Sequence, residues 1–221
     1  MNEEGKYIRA LIHALRGPLT AILSNIEFLR REYEKNLNKE IKETLDDITS
    51  DIKYMEILLK NASDVVKLKK KEDIILQEVD LSEIIKRVKQ QIEVFMPECK
   101  EFVNIEFKNV PVFHTNRSII ERYFYTLMFE LLKFCSSDNK LNLIISAEEK
   151  EIVITLQLKK EEGYPVEKIF KELFFSPAQP HSRMNFIFFE KVLFLFNGKK
   201  KLVTSDPQNV KLIITFPVKL L

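Results

Sequence analysis

Glycine is scarce in this chain: 221 residues hold four, Gly5, Gly17, Gly163 and Gly198. Backbone amides approach phosphate groups closely only where side chains are absent, so a glycine-rich phosphate loop has little to be built from. Cysteine is scarcer still. Cys99 and Cys135 sit in apolar or mixed segments and read as reduced packing residues. No apolar run reaches the ~18 residues a membrane-crossing helix needs. The N-terminus, Met1-Asn2-Glu3-Glu4, lacks the basic-then-apolar order of a secretory signal. Both absences read as a cytoplasmic protein without a membrane partner. Net charge is nearly absent too: 35 Lys and Arg against 33 Asp and Glu leave +2, too little to attract nucleic acid. His114 and His181 have no Cys, His or carboxylate at ligand spacing, which excludes a metal site there. No Ser-His-Asp or paired-carboxylate arrangement stands out.

What is present is periodicity. Residues 6–32 read as one long helix, with Ile8, Leu11, Ile12, Leu15, Leu19, Ile22, Ile26 and Leu29 in the alternating three-and-four spacing of a bundle seam. Polar residues 34–39 read as a turn. A second helix spans 39–69 on the seam Ile41, Leu45, Ile48, Ile52, Met55, Leu59, Ala62 and Val66. A hairpin of two such helices cannot bury both faces alone. Pairing two hairpins into a four-helix bundle is one solution, and packing on the rest of the chain is another. Residues 67–73 form a charged linker, which sets expected domains at 1–72 and 73–221.

Beyond the linker the pattern changes. Helices are expected at 79–95, 119–134 and 186–196, the first capped by Asp80 or Ser82 and the last ended by Asn197-Gly198. Strands are expected at 103–107, at 141–146 and 152–158 as a hairpin, and at 202–204 and 210–218. Helices mixed with antiparallel strands make the chain α+β, its second domain a two-layer sandwich.

One histidine is placed unlike the other two. At about 100° per residue the first seam centres near Leu15, Leu19 and Ile26 and leaves His13 roughly 150° away, facing solvent. A histidine of the core would lie on the seam. Ala10, Gly17, Thr20, Ala21 and Ser24 form a collar of small residues around it. No acid stands beside it in sequence. An exposed imidazole with open approach is a nitrogen nucleophile within reach of another protein.

The stretch His13-Ala14-Leu15-Arg16-Gly17-Pro18-Leu19-Thr20-Ala21-Ile22 resembles the phospho-acceptor box of bacterial sensor histidine kinases. The resemblance implies that His13 accepts phosphate and that Arg9, Arg16, Gly17, Thr20 and Ser24 meet a docking receiver. It departs from the family at Ala14, where an acid assists autophosphorylation, and at Gly17, where a polar residue orients water. The remainder resembles the kinase ATPase domain in element order. Val79–Ile85 resembles its opening helix, and residues 112–134 resemble the approach to its asparagine box. Thr126 and Glu130 stand at the two asparagine positions, the second of which binds Mg²⁺ in the family, and Lys133 keeps a basic residue. The first glycine box falls at 159–164 with only Gly163, and the second aligns with Arg183-Met184-Asn185-Phe186. Phe170, Phe174, Phe175, Phe186, Phe188 and Phe189 either fill the nucleotide's space or form ordinary core.

By this resemblance the chain is closest in plan to the stand-alone histidine phosphotransferases of sporulation and cell-cycle relays. The expected function is phosphoryl transfer through His13 between receiver aspartates, with no cofactor of its own, no ATP use and Mg²⁺ supplied by the receiver. The implied partners are response-regulator receiver domains, a second copy of the chain and a histidine kinase. A divergent active kinase, with Glu130 as metal ligand, and a scaffold that never carries phosphate both stay open.

Overall fold

In the computed structural model the described residues are 3–33, 35–67, 74–96, 100–110, 112–160, 165–175 and 180–218. The side chains of 3–7, Phe95 and 180–182 lie outside the description. The chain divides into two compact units, Met1–Lys67 and Leu68–Leu221. The linker at 68–73, the expected boundary within it and Cys99 fall outside the described residues.

The first unit is a hairpin of α1 (Glu3–Tyr33) and α2 (Lys39–Lys67). Asn38 caps α2, its side-chain oxygen accepting the Ile41 N–H at 2.8 Å. The hairpin core joins Leu19 and Ile26 of α1 to Leu45 and Ile52 of α2, with Leu23, Leu37 and Leu59 packed against them. Ile12 extends the same ridge, so the buried positions of α1 recur every seven residues. Here the structure corrects the expected seam. Leu15 is 42% exposed, and Ile8, Leu11, Ile22 and Leu29 of α1 and Ile41, Ile48 and Met55 of α2 are exposed with it. One antiparallel neighbour covers only one of the two apolar ridges that a three-and-four spacing draws on a helix.

The second unit contains β1 (Gln77–Val79), α3 (Leu81–Phe95), β2 (Val103–Lys108), β3 (Phe113–Thr115) and α4 (Arg117–Leu132). It continues with β4 (Leu141–Glu148), β5 (Glu151–Lys159), α5 (Val166–Phe174), α6 (Pro180–Leu195), β6 (Lys199–Val203) and β7 (Asn209–Pro217). A five-stranded sheet runs in the order β2-β4-β5-β7-β6, and β1 pairs with β3 in a two-stranded sheet. Only the β2–β4 pairing of the large sheet is parallel. Residues buried at alternate positions, such as Ile152, Ile154, Leu156 and Leu158 of β5, give that sheet one covered face. The domain is α+β, a layer of helices on a mixed sheet, as expected.

Caps fix where the helices begin. The Asp80 carboxylate accepts the N–H groups of Glu83 and Ser82 ahead of α3, which holds its pKa below the usual value. Asn116 caps α4 through the Ile119 N–H and ties back to the Ile75 carbonyl. The core between layers is aromatic. Phe174 of α5, Phe189 of α6, Tyr123 of α4 and Phe216 of β7 touch in series, with ring centroids 5.3 to 5.8 Å apart. The phenylalanines therefore divide: Phe170, Phe174, Phe188 and Phe189 are buried core, while Phe175 is 39% exposed.

Gly198 sits against this core. A β-carbon there would come within 2.6 Å of the Phe216 ring and 2.8 Å of Leu193. Phe216 is held by Tyr123 and Phe113 and has no room to yield. Gly198→Ala is expected to cost about 1–3 kcal/mol by overpacking, read as a lower urea midpoint at unchanged m-value; an unchanged midpoint would show that the ring can move.

Candidate functional site

His13 lies nearly three turns into α1 and is exposed, as are Arg16, Gly17, Thr20 and Ser24, whereas Arg9 is half-buried. Arg9, His13, Arg16 and Thr20 follow one another at four-, three- and four-residue steps, so they share one face. Pro18 stands inside the helix. It has no N–H to give the Ala14 carbonyl, so the backbone loses a bond directly after His13. The Thr20 hydroxyl donates to the Arg16 carbonyl at 3.0 Å, so it is turned toward the backbone of this opened turn. A β-carbon at Gly17 would meet nothing within 4 Å apart from its chain neighbours. Glycine there serves the backbone, since the residue before a proline otherwise sets its Cβ against the proline ring.

The electrostatics of this segment are one-sided. Between Glu4 and Glu27 the sequence contains no acidic residue, while Arg9 and Arg16 bracket His13. No hydrogen bond or ion pair of either arginine is recorded among the described residues, and the Arg9 Nε is buried with no partner. The face therefore combines an accessible imidazole with uncommitted positive charge.

The second group of residues gathers where α4 meets α6. Thr126 and Glu130, one turn apart on α4, are 1% and 3% exposed. Asn185 of α6, itself 1% exposed, donates its side-chain N–H to Glu130 Oε1 at 2.7 Å. Lys133 Nζ reaches the same carboxylate at 3.4 Å and lies 5.1 Å from the Phe129 ring centroid. Three of the residues read from the sequence thus form one network, Glu130 and Asn185 buried and Lys133 exposed at its rim. Arg183 is exposed, with no recorded contact to them among the described residues. Most of the segment expected to hold the first glycine box, 161–164, lies outside the described residues, as does the side chain of His181. No group of three or more His, Cys, Asp or Glu suited to a metal ion occurs among the described residues.

Sequence reasoning missed Lys200. Its ammonium donates to the Phe174 carbonyl at the end of α5 and pairs with Glu190 of α6. It also stands 4.7 and 4.8 Å from the ring centroids of Phe175 and Phe186. One cation in this cage ties β6, α5 and α6 together. It went unseen because Lys199-Lys200-Lys201 reads as a solvated run. The signal for α5 was legible: Val166, Ile169, Phe170, Leu173 and Phe174 recur at helical spacing.

Residues 3–71 match the family model of the His Kinase A (phospho-acceptor) domain. The histidine protein kinase SaeS of Staphylococcus epidermidis is 25% identical over 160 residues, covering 72% of this chain and 45% of SaeS. The sensor protein CreC of Escherichia coli is 23% identical over 200 residues, covering 88% of this chain and 41% of CreC. The chain thus spans less than half the length of these relatives. Among solved structures, full-length ShkA in complex with AMPPNP superposes with a TM-score of 0.62 at 14% identity, over 96% of this chain and 45% of ShkA. The histidine kinase AdeS of Acinetobacter baumannii gives 0.59 at 12% identity, over 94% of this chain and 98% of that chain. No helix among the described residues is long and apolar enough to cross a membrane. A hairpin that matches the phospho-acceptor domain and bears His13, followed by an α/β sandwich with the fold of the histidine kinase ATPase domain, makes the chain similar to the catalytic core of sensor histidine kinases.

Proposed function

We propose that this chain is a histidine phosphotransferase of a two-component phosphorelay, which takes a phosphoryl group onto His13 from one receiver aspartate and gives it to another without using ATP. The observation that carries the proposal is the buried hydrogen bond from Asn185 to Glu130 at 2.7 Å. In the family these two positions face the nucleotide, one as a ligand of Mg²⁺ and the other as a glycine that lets phosphate near the backbone. Here an amide and a carboxylate occupy them and satisfy each other. A triphosphate entering would have to break that pair and meet the negative charge of Glu130.

The transfer asks little of the hairpin. A lone pair of the neutral imidazole attacks the phosphorus of the aspartyl phosphate. The N–P bond forms as the P–O bond breaks, and its electrons leave on the aspartate carboxylate. The second ring nitrogen keeps its proton, and reversal onto another receiver returns His13 to its starting state. The receiver contributes Mg²⁺ and its own acidic pocket, to which the acid-free segment around His13 is complementary. Arg9, Arg16, Gly17, Thr20 and Ser24 form the docking face. A second copy of the chain covers the exposed apolar ridge, a histidine kinase serves as an upstream partner, and the setting is cytoplasmic.

A second reading, a divergent active kinase, is favoured by the relatives, which are named as histidine kinases, and by ShkA, whose structure contains AMPPNP. Incubation with labelled ATP and Mg²⁺ separates the two. We expect no label on the chain alone and stable label on His13 when a phosphorylated receiver is added, with His13→Ala abolishing it. Label acquired from ATP without a donor protein decides for the kinase. A His13→Ala protein that leaves relay output in cells intact decides for a scaffold.

A further inference from the structure

We infer that Arg9 is the phosphoryl-binding residue of the acceptor site, a role that deepens the phosphotransfer reading and rests on it. Its Nε is buried yet has no hydrogen-bond partner among the described residues, a rare condition for a guanidinium donor and one that asks for an explanation. On its own helix no acid occurs between Glu4 and Glu27. Arg9 precedes His13 by one helical turn, which sets their β-carbons about 5–6 Å apart on the same face.

An oxyanion carried on the imidazole therefore lies within reach of the guanidinium. Arginine offers a planar fork of donors that matches phosphoryl oxygens, and the side chain gains a partner for its unpaired Nε when it turns toward the phosphate on His13. Arg16, three residues beyond His13 on the other side, is exposed and better suited to steering a receiver than to holding an oxygen. Partial burial is what distinguishes Arg9: it lowers the local dielectric and spares the charge from screening.

The test uses the full chain and phosphoramidate as a small donor, which removes receiver docking from the measurement. An imidazole lone pair of His13 attacks phosphorus, the donor's P–N bond breaks, and ammonia leaves with that electron pair. The expected result is a roughly tenfold slower loading of His13 in Arg9→Gln, with only partial recovery in Arg9→Lys, which keeps the charge and loses the fork. The ³¹P resonance of phospho-His13 moves in both variants while helix content by circular dichroism stays the same. Equal loading rates and an unmoved ³¹P resonance in Arg9→Gln overturn the role of Arg9 and leave the relay reading standing. A wild-type chain that takes no phosphate at His13 from phosphoramidate, or from a phosphorylated receiver, overturns both.

Discussion

Asn185→Leu is expected to destabilise the α/β unit by about 2–4 kcal/mol, because it leaves the Glu130 carboxylate inside the domain with Lys133 as its one remaining partner among the described residues. In a domain of this size each kcal/mol lowers Tm by about 2–4 °C. The loss is specific to a broken pair. Replacing both residues, as Glu130→Leu with Asn185→Leu, removes the stranded charge together with its donor and should recover most of the stability. The double-mutant cycle then gives a coupling of about 1–3 kcal/mol. Thermal unfolding of the four proteins decides it. If the single costs simply add, the bond between α4 and α6 is incidental and would not hold the nucleotide position closed. A recovered double variant that still does not take up ATP would show that the missing glycine boxes suffice to exclude nucleotide.

Ile22→Lys is expected to dissociate the protein. Ile22 is 44% exposed within the isolated hairpin, so its replacement costs that hairpin little. Across a two-fold bundle it is counted twice. Withdrawing two isoleucines at about 1.5–3 kcal/mol each weakens self-association by roughly 10²- to 10⁴-fold. Phe28 provides the control. It is 50% exposed but lies about 120° around α1 from Ile22, off the ridge, so Phe28→Lys should leave the assembly unchanged. Sedimentation equilibrium reads all three proteins. A wild-type chain that is monomeric at micromolar concentration, or an Ile22→Lys protein that stays dimeric, would remove the bundle from the proposal.

Much of this architecture was legible because long elements repeat their signal. The α1 and α2 ridges run for several heptads, and the hairpin turn at Glu149-Lys150 sits between clean alternations. The misses have physical causes. Strands β1 and β3 have three residues each, too few to display a period, and each exists because the other supplies its hydrogen bonds. Helix α6 begins at Pro180, six residues before its apolar run, since proline tolerates a first helical position. The start of β6 was hidden by three lysines. At the site, the exposed side of α1 could be read from angle alone. The bond between Asn185 and Glu130 could not, because it joins side chains 55 positions apart. Leu15 teaches the complementary lesson. Spacing marks a position as apolar but does not say which of two neighbouring ridges the nearer helix will cover.

The lysines of β6 have a consequence of another kind. The strand pairs with β7 on one side and forms an edge of the sheet, with Lys199 and Lys201 exposed along it. An open edge is a template on which further strands can polymerise, and repeated positive charge is a common way of keeping it unused. The exposed lysines thereby oppose edge-to-edge aggregation, and sheet growth is closed off at that rim. Lys199→Val with Lys201→Val would reopen a route to fibrous association through the backbone.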